Sequence, residues 1–215
     1  MGVYLNPGDE LFREAVNSQI YVDKSMLLSY TNSVIKTSDK FICVSRPRRF
    51  GKTTAANMVA AYYCRSADAK TAFNGLKIAD DPNFDKFCNK YDVIRINMQH
   101  FLSESGDIDE LVQMLTKSIL WDLLDEYPDC RYFDNTKLVR SMSDVYRYTK
   151  RPFIIIIDEW DCIFREYKNH KDWQNKYLDF LRNWLKDKAY VGLAYMTGIL
   201  PIKKYGTHPA LNMFA

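Results

Sequence analysis

The sequence has no cysteine pair at metal-binding spacing, no apolar run of membrane length, no large excess of either charge and no internal repeat. Each absence closes a class of function. The five cysteines, Cys43, Cys64, Cys88, Cys130 and Cys162, lie far apart with no CxxC motif among them. Their odd number suits no closed disulfide framework, so they read as reduced cytosolic thiols. The longest apolar run, Phe153 to Ile157, falls far short of the ~20 residues that a helix needs to cross a bilayer. The N-terminus, with acidic residues early and no apolar segment, lacks the pattern of a secretory signal. These features predict a cytoplasmic protein with no membrane partner.

The 30 basic and 27 acidic side chains leave a formal charge of +3 over 215 residues. Such a balance produces no broad field, and strong autonomous binding to nucleic acid, which rests on many basic contacts, is not supported. With 47% hydrophobic and 27% charged residues, the composition is that of a folded globule. The length suits one α/β domain over residues 1–215, with residues 1–40 forming a segment ahead of the first buried strand.

Strand-like apolar runs alternate with helical spacing, the pattern of a mostly parallel sheet covered by helices. Phe41-Ile42-Cys43-Val44 predicts a short buried strand, and a helix follows through Ala55, Met58, Val59 and Tyr62. Val93 to Met98 reads as a second strand. Asp107 and Glu110 then form a capping box for a helix whose apolar face is Ile108, Leu111, Leu115, Ile119 and Leu123. Pro152 opens a third strand, Phe153 to Ile157, apolar enough to be buried on both faces. Trp173, Tyr177, Phe180, Leu181 and Trp184 mark a further helix as core packing. Tyr190 to Met196 is the fourth strand, stopping at Thr197-Gly198.

Between the first strand and its helix stands Ser45-Arg46-Pro47-Arg48-Arg49-Phe50-Gly51-Lys52-Thr53-Thr54. A strand, a tight turn and a helix N-terminus present inward-facing backbone N–H groups to the oxygens of a nucleoside triphosphate. Gly51 lets the backbone approach the phosphate, Lys52 reaches the outer phosphates, and the Thr53 hydroxyl is placed to coordinate Mg²⁺. The pattern G-x-x-x-x-G-K-[ST] is incomplete, because Arg46 occupies the position of its first glycine. Arg48 and Arg49 either add charge over the phosphates or point outward to a partner.

A second motif supports the first. The apolar third strand ends in Asp158-Glu159, and charge at the tip of a buried strand needs a reason. Asp158 would sit near the magnesium and accept hydrogen bonds from its waters, while Glu159 would orient and deprotonate an attacking water. Thr197, at the end of the neighbouring strand, either touches that water or the terminal phosphate, or is an ordinary strand-ending hydroxyl. Arg165 and Arg182 are arginine-finger candidates by position only, and as residues of helical segments they read as solvated.

Four blocks, Tyr21-Val22-Asp23-Lys24-Ser25, the turn from Ser45 to Thr53, Ile157-Asp158-Glu159-Trp160-Asp161 and Thr197-Gly198-Ile199-Leu200-Pro201, carry a resemblance across nearly the whole chain. In this order they resemble the predicted AAA-ATPase-like family, in the additional-strand, catalytic-glutamate class of P-loop ATPases. The R-P-R-R-F-G-K-[ST] form of the phosphate loop is typical there, so the resemblance makes Arg46 a family trait. It implies a three-layer α/β fold with sheet order 5-1-4-3-2, its fifth strand following the Thr197 region and missing or truncated here. It also implies an ATP and Mg²⁺ site. Glu159, Lys52 and Thr197 would be catalytic, residues Arg48, Arg49, Phe50, Gly51, Lys52, Thr53 and Thr54 would hold the nucleotide, and Thr53 and Asp158 the metal. The Asp23-Lys24 segment would lie near the base.

Members of that family often continue into a nuclease-like domain of the PD-(D/E)XK type, which makes this sequence a short form or an excised ATPase portion. An exposed edge of the phosphate-loop strand would then be covered by residues 206–215 or would drive self-association. The reading that results is a slow, Mg²⁺-dependent ATPase that uses hydrolysis to switch conformation, with any arginine finger supplied by a neighbouring subunit or protein partner. Its alternatives are a non-hydrolysing nucleotide-binding scaffold and a nucleic-acid-associated protein.

Overall fold

The computed structural model describes residues 2–201 and 213–214. Helices α1 (Glu10–Val16) and α2 (Leu27–Val34) precede β1 (Phe41–Ser45), which leads through the basic turn into α3 (Lys52–Tyr63). Two four-residue helices, α4 (Ala69–Ala72) and α5 (Phe84–Phe87), connect α3 to β2 (Asp92–Asn97). Then come α6 (Met98–Glu104), α7 (Ile108–Glu126), α8 (Leu138–Thr149) and β3 (Phe153–Asp158). The chain continues through α9 (Cys162–Glu166), α10 (Lys171–Leu185) and β4 (Val191–Gly198).

The four strands form one sheet in the order β1-β4-β3-β2, and all three pairings are parallel. The observed order is the 1-4-3-2 part of the expected one; the fifth strand, expected after the Thr197 region and missing or truncated, is not among the described residues, and residues 202–212 lie outside them. Phe214 is buried and meets the Phe41 ring edge-on, centroids 5.5 Å apart, at the start of β1. At the other edge, residues 4–6 lie against β2: Asn6 N–H donates to the Val93 carbonyl at 2.7 Å, and Arg95 N–H donates to Tyr4 at 2.9 Å.

Alternation along the strands divides the core into two layers. Ile155, Ile157 and Met196 face a cluster built with α6, α7, α8 and α10, whereas Ile154, Ile156, Leu193 and Tyr195 face α3 and the helices around it. Every residue of β3 is buried, as its unbroken apolar run requires. In α7 the expected apolar face is wholly buried, and Asp107 Oδ1 accepts from Glu110 N–H at 2.8 Å. Glu110 reaches back to Gly106 N–H at 2.7 Å, one residue before the N-cap.

Strand ends differ from expectation by a residue or two: β1 runs to Ser45 and β3 to Asp158, β2 begins at Asp92 and β4 at Val191. Two further differences have a visible cause. Strand β2 ends at Asn97, because the Asn97 side chain accepts from Gln99 N–H at 3.0 Å and caps α6, which takes Met98 as its first residue. Strand β4 includes Thr197 and Gly198, which pair with Val44 and Ser45 and so extend the ladder to the mouth of the phosphate loop.

Candidate functional site

The site lies where the C-terminal ends of β1, β4 and β3 meet. Because β4 separates the other two strands, the phosphate loop and the acidic tip of β3 are two strand spacings apart, about 10 Å. Both are tied to the strand between them. Arg46 N–H donates to the Gly198 carbonyl at 3.1 Å, and Ser45 Oγ donates to the Leu200 carbonyl at 2.9 Å. From the other side, Thr197 Oγ1 donates to Asp158 Oδ1, and Trp160 N–H donates to the Thr197 carbonyl at 3.1 Å.

In the loop, Arg49 and Gly51 have left-handed backbone, φ 68° and 73°. Gly51 meets that demand without strain and serves as the N-cap of α3, with no side chain capping the first turn. Those N–H groups and the positive end of the helix dipole therefore remain open to an anion. Lys52 is buried, and its ammonium donates to the Pro47 carbonyl at 3.0 Å, folded back across the turn that would hold phosphate. Lys24, from the segment before α2, donates to the Phe50 carbonyl at 2.9 Å. Arg48, Arg49, Phe50 and Thr53 are exposed, and Thr54 is half-buried.

A cleft of about 520 Å³ opens beside this turn, between α3 and residues 15–24. Its wall is mixed, with the apolar Ile20, Tyr21, Val22 and Met58 beside the polar Ser18, Lys24, Arg49 and Thr54. The Asp23 carboxylate props up that wall by accepting from Ser25 N–H at 2.8 Å and Lys77 N–H at 3.0 Å. Burial raises the Asp23 pKa, but these hydrogen bonds outweigh it and leave the value below the ordinary one.

At the acidic tip Asp158 is fully buried. Its Oδ1 accepts from Thr197 and from Glu159 N–H, the latter at 3.1 Å, while Oδ2 has no partner among the described residues. Glu159 sits in left-handed backbone, φ 53°, where the chain turns sharply out of β3. Its carboxylate pairs with Arg165, whose Nε also lies 3.4 Å from Asp161 Oδ1. Asp161 Oδ2 accepts from Ile199 N–H at 2.9 Å and Leu200 N–H at 2.7 Å, locking the exit of β4 to the turn after β3.

This corrects the expectation for Arg165. Its side chain is only 16% exposed because two carboxylates neutralise it, one of them four residues earlier at the N-cap of the same short helix. Arg182, by contrast, is exposed on α10. Asp161 went unassigned although it belongs to the Ile157–Asp161 block. Its signal was a third acidic residue within four positions of a buried strand's end. Gly198 explains the close approach on this side, since a Cβ there would come within 2.7 Å of Trp160 Nε1 and 2.8 Å of Asp161 Oδ1.

The donor set fits magnesium. Among the described residues no group of three or more His, Cys, Asp or Glu side chains is gathered to cage a metal. Mg²⁺ beside phosphates needs only one or two protein oxygens in addition to water, and the unpartnered Asp158 Oδ2 is an oxygen of that kind.

A parallel α/β sheet that delivers a Gly-Lys-Thr turn to a helix N-terminus defines a P-loop-like, nucleotide-binding domain of the ATPase kind. The comparison with known families agrees. The chain belongs to the predicted AAA-ATPase family, whose model matches residues 10–207. No curated protein matches it. No helix among the described residues is long and apolar enough to cross a membrane.

Proposed function

We propose that this protein binds ATP with Mg²⁺ between the phosphate loop and the tips of β3 and β4, and hydrolyses it slowly to ADP and phosphate. One observation carries the reading: the entrance of the basic turn and the buried Asp158 are bonded to consecutive residues, Gly198 and Thr197, of the strand between them. The Lys52 ammonium exchanges its contact with Pro47 for the outer phosphates, and the first-turn N–H groups of α3 cradle the remaining oxygens. The Thr53 hydroxyl and Asp158 hold Mg²⁺, which supplies neutralisation of the charge on the phosphate oxygens. Tyr21, Val22 and Met58 receive the base, while Arg48 and Arg49 lie over the phosphates.

In the hydrolytic step Glu159 orients a water and takes its proton as the water oxygen bonds to the terminal phosphorus. The bond to the bridging oxygen breaks, and ADP leaves. Thr197 steadies the water or the terminal phosphate. Turnover is slow because Arg165 already occupies the Glu159 carboxylate, and a neighbouring subunit or partner supplies the missing arginine. Release of that ion pair on nucleotide binding is the conformational switch. The same pair favours one second reading, a regulator that holds nucleotide without turning it over.

The test is thermal melting with Mg²⁺ and each nucleoside triphosphate, with phosphate release measured in parallel. At a hundred times its dissociation constant a ligand stabilises the fold by ~2.7 kcal/mol, and Lys52→Ala should remove that gain. Absence of a shift for every triphosphate in the wild type sinks both readings. Retained binding with equal phosphate release in Glu159→Gln and wild type selects the regulator.

A further inference from the structure

On the sheet face that packs against α3, the strands present apolar and neutral polar side chains with two exceptions, Arg95 of β2 and Asp158 of β3. The register sets Arg95 opposite Ile156, and Asn97 opposite Asp158. Arg95 therefore stands one same-face position short of the carboxylate, on the adjacent strand. The offset is about 7 Å along the strand and about 5 Å across it, within reach of an extended arginine.

Each group has one atom without a partner. Arg95 Nε and Asp158 Oδ2 are each buried with no hydrogen-bond partner among the described residues. A buried donor and a buried carboxylate oxygen left unbonded in one layer are costly unless they answer each other's charge. Burial pushes the Arg95 guanidinium pKa down, and the field of Asp158 pulls it up. Lys52 is engaged with the Pro47 carbonyl and Arg165 with Glu159 and Asp161, while Arg48 and Arg49 are exposed at the loop.

We propose that Arg95 is a positioning residue: it is the standing counter-cation of Asp158, it competes with the divalent ion for that carboxylate, and it thereby sets the metal affinity of the nucleotide site. The inference rests on the metal role proposed for Asp158. It adds that the carboxylate is held in place from β2 until an ion takes over, and that metal loading must work against a resident positive charge. Removal of that charge makes the site bind metal more tightly, the opposite of what loss of a merely structural residue does.

The experiment titrates Mn²⁺ into wild type, Arg95→Met and Arg95→Lys with excess ADP in mildly alkaline buffer, following free Mn²⁺ by electron paramagnetic resonance. Arg95→Met should bind Mn²⁺ at least about tenfold more tightly than wild type. Arg95→Lys, which restores the charge, should return close to the wild-type value. In melting without metal Arg95→Met should be the least stable of the three, and it should gain most from added Mn²⁺. Should Arg95→Met fail to fold, Arg95→Gln, which keeps a neutral donor, carries the same expectation. Equal or weaker Mn²⁺ binding by the uncharged variant overturns the inference alone. No Mn²⁺ uptake by the wild type removes the metal role of Asp158, and the inference with it.

Discussion

Thr197→Val tests the contact on which the site is built. Thr197 and Asp158 are both fully buried, and among the described residues the Thr197 hydroxyl is the only side-chain donor bonded to the carboxylate. Valine has the same shape, opens no cavity and suits a strand centre as well as threonine does, so the loss is confined to one hydrogen bond. A hydrogen bond to a charged acceptor contributes about 1.5–3 kcal/mol, and here its removal leaves Asp158 with one backbone donor and an already unbonded Oδ2. A loss of ~2 kcal/mol in a protein of this size lowers Tm by roughly 4–8 °C. Far-UV circular dichroism on heating measures it, and urea unfolding at constant m-value confirms that the native state alone has changed. The partner is identified by a double-mutant cycle with Asp158→Asn, in which the two effects should fall short of additivity by at least about 0.5 kcal/mol. If Thr197→Val melts with the wild type, or if the two substitutions simply add, the β4–β3 contact does not hold the site together.

Three further outcomes follow from the same geometry. Asp92 is fully buried between Arg65 and Arg151, each with Nε at 2.6 Å, and accepts from Asn6 at 2.9 Å. Burial raises its pKa, but the hydrogen bonds to it prevail and leave it below the ordinary value. Its contribution is therefore complete above the unfolded carboxyl pKa of ~3.9 and is lost as pH falls through the lower folded value. Asp92→Asn should cost about 3–5 kcal/mol at neutral pH and flatten the acid limb of the stability profile, as read by urea unfolding across pH. Gly198→Ala drives a methyl group into Trp160 and Asp161, both buried, and should cost about 1–3 kcal/mol while changing the tryptophan near-UV signal. Asp107→Ala removes the cap of α7 and should cost about 1 kcal/mol in denaturant midpoint without altering nucleotide-induced stabilisation.

What was legible in the sequence depended on how local the cause was. The β3 run and the α7 cap are each specified by consecutive residues, and both elements stand as read. The four-residue α4 and α5 are too short for any periodicity to register, and their residues are held by packing against α1 and the tyrosines of α3. Strand β2 was read one residue too far because Met98 continues its apolar pattern, whereas an Asn97 cap, a two-residue effect, decides where the chain turns. The end of β4 was missed for a nonlocal reason: Thr197 and Gly198 are strand only because β1 is long enough to pair with them.

The same distinction separates the candidate site residues that sequence reasoning found from those it missed. Asp158 was recognised by a rule that needs no partner: a charge at the end of an apolar strand is too costly to stand without a task. Arg165 escaped because its surroundings, Glu159 across a left-handed turn and Asp161 one helical turn back, exist only once the chain has folded. Arg95 differs from Arg165 in this respect. Val93-Ile94-Arg95-Ile96 is also an apolar strand interrupted by one charge, so the rule that selects Asp158 selects Arg95 on equal grounds. What the sequence alone cannot supply is the register that sets the two on neighbouring strands and on one face. Two charges that each demand a reason, brought into one layer with opposite signs, are then most economically explained by each other.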